Sequence, residues 1–225
     1  MHTMLKQAFR EGVHRKYVGH NTLTDVKPPR ENKQQKEILS PDQVRHLLET
    51  VRGNQFELAV VLSATCALRI GESLSLRWED FFDVERGNVT IQRTLWAGKT
   101  WPTKTVGSKK TLKLPKIAVD ALKRVKMAAE GQKWLFPTSN NTPVAAGNFH
   151  PHWKRMLREA RLPDSTMYHS LRHGVASNLL DRGIPLPVVS RYLCHANPGI
   201  TAAVYSHIVS GTKGLAADEI DEALE

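Results

Sequence analysis

The stretch from position 168 to 207 constrains this chain more than any other. There, ionisable residues recur inside short helix-like, apolar-rich runs. It contains His169-Ser170-Leu171-Arg172-His173, then Leu193-Cys194-His195, then Tyr205-Ser206-His207. Residues three apart on a helix share a face, so His169 and Arg172 can point at one ligand. His195 and Tyr205 follow on what read as the next two short helices. Two histidines, an arginine and a phenol gathered near one another suit a phosphodiester above other groups. Arginine gives a planar fork that matches two phosphate oxygens. Histidine donates a hydrogen bond or moves a proton near neutral pH. A tyrosine hydroxyl can attack phosphorus and hold it covalently.

A second cluster lies upstream, in Ala67-Leu68-Arg69-Ile70-Gly71-Glu72 and on to Trp78-Glu79-Asp80. Arg69 and Glu72 are again three apart and share a helical face. A third element is Thr103-Lys104-Thr105, ahead of Ser108-Lys109-Lys110-Thr111-Leu112-Lys113-Leu114-Pro115. That pattern puts a lysine in a loop before a short alternating strand. Each piece has a plainer reading. Arg69 can simply pair with Glu72 or Glu79. His169 and His173 have the spacing of a metal pair on a helix, but a fixed cation, Arg172, stands between them. Cys194-His195 could be a ligand fragment, but it has no second Cys-His pair at zinc spacing. Tyr205 alone would pass for an ordinary half-buried tyrosine. Lys109, Lys110 and Lys113 read as a solvated strand face or as a strand that tracks phosphates. Glu72 either orients its neighbours or stabilises a helix start.

In this order and at these spacings, the pieces resemble the tyrosine recombinase (phage integrase) family. The resemblance covers about Asn21 to Ile208. Its first box, Leu-Arg-x-x-Glu before Leu-x-Trp, matches Arg69, Glu72 and Trp78. Its hairpin lysine matches Lys104. Its His-x-Leu-Arg-His box matches His169, Arg172 and His173. Its Leu-Gly-His box matches Leu193-Cys194-His195, and its nucleophile, followed two residues later by histidine, matches Tyr205 and His207. Two departures stand out: Ala67 and Cys194 occupy positions where the family has glycine, which bears on local backbone geometry.

The resemblance implies a catalytic set of Arg69, Lys104, His169, Arg172, His195 and the nucleophile Tyr205, with Glu72 and His173 as accessory residues. It implies site-specific DNA strand cleavage and rejoining through a 3′-phosphotyrosine, without metal or cofactor. The arginines supply the charge that a metal would. Lys109, Lys110, Lys113, Lys154 and Arg155 are the expected DNA contacts. The implied partners are double-stranded DNA with specific target sites, three further copies of the chain on paired sites, and accessory DNA-bending or directionality proteins. A relaxing enzyme of the type IB topoisomerase kind shares the chemistry, and a DNA-binding module without catalysis is the alternative of another class.

Composition agrees with such a partner. The chain has 225 residues, 40% of them hydrophobic, and a net charge of +10. That length supports a real core, and that charge favours a polyanion. Cys66 and Cys194 imply no disulfide framework. The sequence has no secretory signal and no apolar run long enough to span a membrane, so the cytoplasm is the expected default, and the resemblance implies the nucleoid of a bacterial or phage-infected cell.

The expected fold is mainly α with a small antiparallel sheet, an α+β arrangement of the integrase catalytic-domain kind. Positions 1–36 read as a basic helix, Met4 to Tyr17, and a linker from Asn21. The resemblance makes them the remnant of an N-terminal core-binding domain, in a truncated piece or a short natural variant. Positions 37–210 form the catalytic domain. Ser40-Pro41-Asp42-Gln43 starts a helix with a capping box. Phe56 to Ala67 is a core helix, and Arg69 opens the next, with Leu74, Leu76 and Trp78 packing inward. Strands are expected at Phe81–Val84, Val89–Trp96 and Lys110–Leu114, with Trp96 to Gly107 a long mobile arm carrying Lys104. Helices follow at Ile117–Glu130, Asn148–Ala160, Leu186–Cys194 and Ile200–Val204, with an extended Leu135-Phe136-Pro137. Positions 211–225 hold a C-terminal helix for subunit contacts, apolar on one side through Leu215 and Ile220 and acidic on the other.

Overall fold

The computed structural model describes residues 2–28, 38–81, 87–102, 109–126, 131–194, 199 and 201–202. The chain divides into two compact units, 1–36 and 37–225. The first unit carries helix α1, His2–His14, which buries no residue. It ends near Lys16, whose φ of 60° is left-handed. The stretch expected to be linker folds back onto this helix. Asn21 donates from Nδ2 to the Lys6 carbonyl at 3.0 Å, and His2 Nε2 lies 2.8 Å from the Val26 carbonyl.

The second unit is mostly helical. Helix α2, Pro41–Thr50, starts as its sequence demands. Gln43 donates its backbone N–H to Ser40 Oγ, and the Ser40 N–H donates to Gln43 Oε1 at 2.8 Å. Helix α3, Glu57–Cys66, is apolar nearly all round and is buried along most of its length. A helix with no polar face belongs at the centre. It packs against α5, Lys116–Lys126, and α7, His169–Asp181. Between α3 and α7 in sequence lie α4, Ile70–Leu74, and α6, Ala146–Glu159, and the chain continues into α8, Leu186–Leu193.

Aromatic packing fixes where α7 begins. The Tyr168 ring meets Phe149 and Trp153 edge-on, with centroids 5.2 and 5.3 Å away. Its hydroxyl donates to the Ala59 carbonyl in α3 at 2.5 Å. Trp153 Nε1 donates to the Thr166 carbonyl at 2.9 Å. The residue after Tyr168 is His169, so this cluster sets the position of a candidate site residue.

The strands are antiparallel, as expected, but they form two ladders. Strand β1, Asn88–Ile91, pairs with β4, Lys110–Lys113, with Val89 opposite Leu112. Strand β2, Arg93–Trp96, pairs with β3, Lys99–Pro102. The described part of the expected arm is therefore a hairpin. Its two-residue turn, Ala97-Gly98, has φ values of 48° and 74°. Both are left-handed, which matches the twist of a tight hairpin. Of the strand expected at 81–84, Phe81 lies outside any strand, and positions 82–84 fall outside the described residues, as do 103–108, 127–130, 195–198 and 203–225. Lys104, His195, Tyr205 and the expected C-terminal helix belong to those segments.

Strand β2 is seated directly on α4. A Cβ on Gly71 would lie 2.6 Å from the Leu95 carbonyl oxygen and 2.7 Å from Thr94 Oγ1. Asp80, fully buried, ties the same strand down. It accepts from Arg93 Nη1 at 2.6 Å, from Gln92 Nε2 at 2.8 Å and from the Arg77 N–H at 2.8 Å. Because the Leu95 backbone cannot yield cheaply, Gly71→Ala is expected to destabilise the fold by about 1–3 kcal/mol, as overpacking does. Chemical denaturation measures it, and an unchanged midpoint would show that β2 does not rest on α4.

Candidate active site

Arg172 of α7 meets the ends of α3 and α8, and Arg69 and Glu72 stand at the start of α4, which follows α3. Arg172, on α7, is buried, with 2% of its surface exposed. Its guanidinium donates from Nη1 to the Ala67 carbonyl at 2.6 Å and from Nη2 to the Leu193 carbonyl. Ala67 is two residues before Arg69, and Leu193 is two residues before His195. One side chain therefore holds the two turns that lead to the other candidate phosphate ligands. Hydrogen bonds from a charged donor each contribute about 1.5–3 kcal/mol, which offsets the cost of burying the charge.

Both turns have an unusual backbone. Ala67 closes α3 with φ 56°, and Cys194 closes α8 with φ 49°. These are the two positions at which glycine was expected. The left-handed geometry that glycine favours is kept, and alanine and cysteine adopt it at a cost of roughly 1–2 kcal/mol each. The left-handed caps reverse the chain sharply and leave the Ala67 and Leu193 carbonyls within reach of Arg172.

Arg69 sits just ahead of α4 in an extended conformation. Its N–H donates to Glu72 Oε2 at 2.9 Å, and its Nη1 donates to Glu72 Oε1 at 2.9 Å. Both readings of Glu72 hold together. The carboxylate satisfies an orphan donor at the helix start and fixes the arginine that it accompanies. The Arg69 side chain is 44% exposed, so this pair adds little stability. It restricts where the guanidinium points while leaving it open to solvent. His169 stands exposed at the first position of α7, with its ring edge-to-face against His173, centroids 4.8 Å apart.

The lysines expected to contact DNA do not share a face. Lys109 and Lys113 are exposed, whereas Lys110 is buried beside Leu112 on the inner side of β4. The Lys110 Nζ lies 5.4 Å from the centroid of the Tyr192 ring. Burial pushes its ammonium below the ordinary lysine range, as desolvation of a cation does. Period two along Lys110-Thr111-Leu112-Lys113-Leu114 carried this signal, because Lys110 has the parity of two core leucines. On α6, Lys154 is half-buried, and Arg155 is exposed and donates from Nε to Glu159 at 2.8 Å. The sequence reading passed over Tyr192, whose hydroxyl donates to the Thr65 carbonyl at 2.9 Å. Among the described residues no group of three or more His, Cys, Asp or Glu side chains is placed to hold a metal ion.

Comparison with known proteins gives the family and the fold. The model of the phage integrase family matches residues 37–210. The tyrosine recombinase XerC-like protein of Caldanaerobacter subterraneus is 25% identical over 99% of this chain and 65% of its own length. An integrase of Streptomyces ambofaciens is 26% identical over 91% of this chain and 58% of its own length. The chain thus spans less than two thirds of these curated relatives. The integrase of transposon Tn1549, solved in complex with a circular intermediate DNA, superposes with a TM-score of 0.81 at 22% identity, over 99% of this chain and 77% of that one.

The turns, the arginine that bonds them and the exposed Arg69 pair set the expected stabilities of four variants. Cys194→Gly, at an exposed cap, should stabilise the fold by about 1 kcal/mol, because glycine relieves the left-handed strain, whereas Ala67→Gly should be near neutral, because the same gain is offset by the loss of a buried methyl. Arg172→Ala should cost about 3 kcal/mol or more, since it strands two buried carbonyls. Arg69→Ala should stay within about 1 kcal/mol of wild type, as exposed pairs do. Denaturant titrations of the four variants check this, and an Arg172→Ala as stable as wild type would mean that Arg172 does not hold the turns.

Proposed function

We infer the function from one premise: the chain belongs to the phage integrase family. On that premise it is a site-specific DNA recombinase that cuts and rejoins strands through a covalent phosphotyrosine. The observation that carries the reading is the Arg172 guanidinium, which bonds the two turns that lead to Arg69 and His195.

Tyr205 attacks the scissile phosphorus and displaces the 5′-oxygen, leaving a 3′-phosphotyrosine and a free 5′-hydroxyl. An unperturbed tyrosine has a pKa near 10, roughly three units above neutrality, so the surrounding cations must favour the phenolate. Arg69, Arg172 and His195 bind the non-bridging oxygens, where charge accumulates. Losing one such donor typically costs about 100- to 1,000-fold in rate. Lys104 gives the departing 5′-oxygen its proton. His169 positions the phosphate or moves the proton of Tyr205, and Glu72 and His173 hold the cations in place. The 5′-hydroxyl of a second strand then attacks the phosphotyrosine and reseals the backbone, so no external energy source is consumed. The roles of Lys104, His195 and Tyr205 rest on the order and spacing of their motifs.

The substrate on this reading is double-stranded DNA with specific sites, contacted through phosphates by Lys109, Lys113, Lys154 and Arg155. Four copies of the chain act on two paired sites, with accessory DNA-bending or directionality proteins in some reactions. The work belongs in the cytoplasm and nucleoid of a bacterial or phage-infected cell. Integration or excision of a mobile element is the favoured setting, because a transposon integrase on circular intermediate DNA shares the fold. Positions 1–36 act as part of a DNA-binding domain, 37–210 as the catalytic domain, and 211–225 as a subunit contact.

The test begins with duplexes selected from a random-sequence pool by the Tyr205→Phe chain. Wild type should form a detergent-resistant complex with a selected duplex, and Tyr205→Phe should form none. Lys104→Ala should be severely slow when the leaving group is a 5′-oxygen, whose alkoxide is nearly as basic as hydroxide from water of pKa about 15.7. It should be nearly normal when sulfur replaces that oxygen, because a thiol of pKa about 8.5 departs without a proton. Equal slowness on both would assign the general acid elsewhere, with His169 the next candidate.

A further inference from the structure

One cation in this site has no role in the chemistry above. Lys110 is 8% exposed, and its Nζ has no hydrogen-bond partner among the described residues. The register of the β1–β4 ladder puts it there, opposite Ile91 and on the same side as Leu112. The Tyr192 ring lies beneath the ammonium, 5.4 Å away at its centroid. The other groups that act on it come from several elements: Glu72 of α4, Arg172 of α7, Cys66 at the end of α3 and Cys194 just past α8. These are the same helix ends that Arg172 and its two turns bring together.

A lysine is an expensive choice for this position if packing is all that it supplies. A buried ammonium without an acceptor costs several kcal/mol. Methionine is similarly long and unbranched and would fill the space without that cost. The nearby carboxylate of Glu72 acts on it only through space: its hydrogen bonds go to Arg69, and none reaches the Lys110 ammonium. Arg69, Arg172 and Lys110 therefore stand against one carboxylate, an excess of positive charge in which Arg172 and Lys110 are buried and Arg69 is open to solvent. A phosphodiester brings one negative charge, and a second accumulates as a phenolate adds to it. Charge placed before the reaction, where water is excluded, acts strongly on such a transition state.

We propose that Lys110 is a further phosphate-binding cation of this active site, kept without an acceptor so that the scissile phosphodiester becomes its counter-charge. The proposal rests on the strand-cleavage reading above. It gives Lys110 no part in proton transfer, which leaves the leaving group to Lys104. It also separates Lys110 from Lys109 and Lys113, which face outward on the same strand.

The experiment compares Lys110→Met, Lys110→Gln and Lys110→Arg with wild type in single-turnover cleavage of a pool-selected duplex. The scissile linkage is either a phosphodiester or a methylphosphonate, which lacks the negative charge. On the phosphodiester, both uncharged variants should be slower by about 100-fold, the loss typical of one such donor, and Lys110→Arg should recover most of the rate. On the methylphosphonate the gap between wild type and Lys110→Met should nearly close. Thermal melts of Lys110→Met should match or exceed wild type, since an unpaired buried charge has been removed. Wild-type rates for Lys110→Met, or equal slowing on both linkages, would overturn the proposal. So would a melt lowered by several degrees in both uncharged variants, which would make Lys110 a packing residue. Wild type that forms no covalent complex with either linkage would overturn the recombinase reading and this proposal with it; wild-type cleavage with an unaffected Lys110→Met would overturn this proposal alone.

Discussion

Two hydrogen bonds from one buried guanidinium govern the geometry of this site. Arg172 reaches from α7 to the last carbonyls of two turns, at Ala67 and at Leu193. A helix end leaves its final carbonyls unsatisfied. Here the donor that satisfies them is also the group most suited to a phosphate. The cost of burying that charge is offset by the backbone it organises. The same bonds hold the left-handed turns at Ala67 and Cys194, which would otherwise be strained conformations with nothing to maintain them.

The rest of the unit supports that guanidinium. Tyr168 anchors the start of α7 against α3 through its hydroxyl bond to Ala59, which fixes the axis along which Arg172 projects. Gly71 lets β2 lie against α4, and Asp80 holds Arg93 in place at the other end of that contact. Strand β4 then brings Lys110 under the junction from the sheet side. Local helix and strand preferences thus agree with the site geometry at most positions, and they are set aside at the left-handed caps and the buried lysine, where a functional site is expected to break local rules.

Much of this was legible in the sequence. Ser40, Pro41 and Gln43 announced their helix start through capping chemistry, and the all-apolar α3 announced a central helix. The pairing of Arg69 with Glu72 followed from their three-residue spacing. The hairpin at Ala97-Gly98 was missed because its turn has alanine at the first left-handed position, where asparagine or aspartate gives the usual signal. Reading Lys109, Lys110 and Lys113 as one face ignored strand parity, which the neighbouring leucines fixed. The bonds of Arg172 to Ala67 and Leu193 were not legible, because contacts across such separations depend on how the helices pack and leave no local pattern.

The proposed function turns on one chemical event, the transfer of a DNA phosphoryl group onto a tyrosine of this chain. The most direct measurement is mass spectrometry of the covalent complex after nuclease and protease digestion. The account predicts a peptide that carries a nucleotide through its 3′-phosphate on Tyr205. A nucleotide attached to Tyr192 or another residue, or a linkage through a 5′-phosphate, would contradict it.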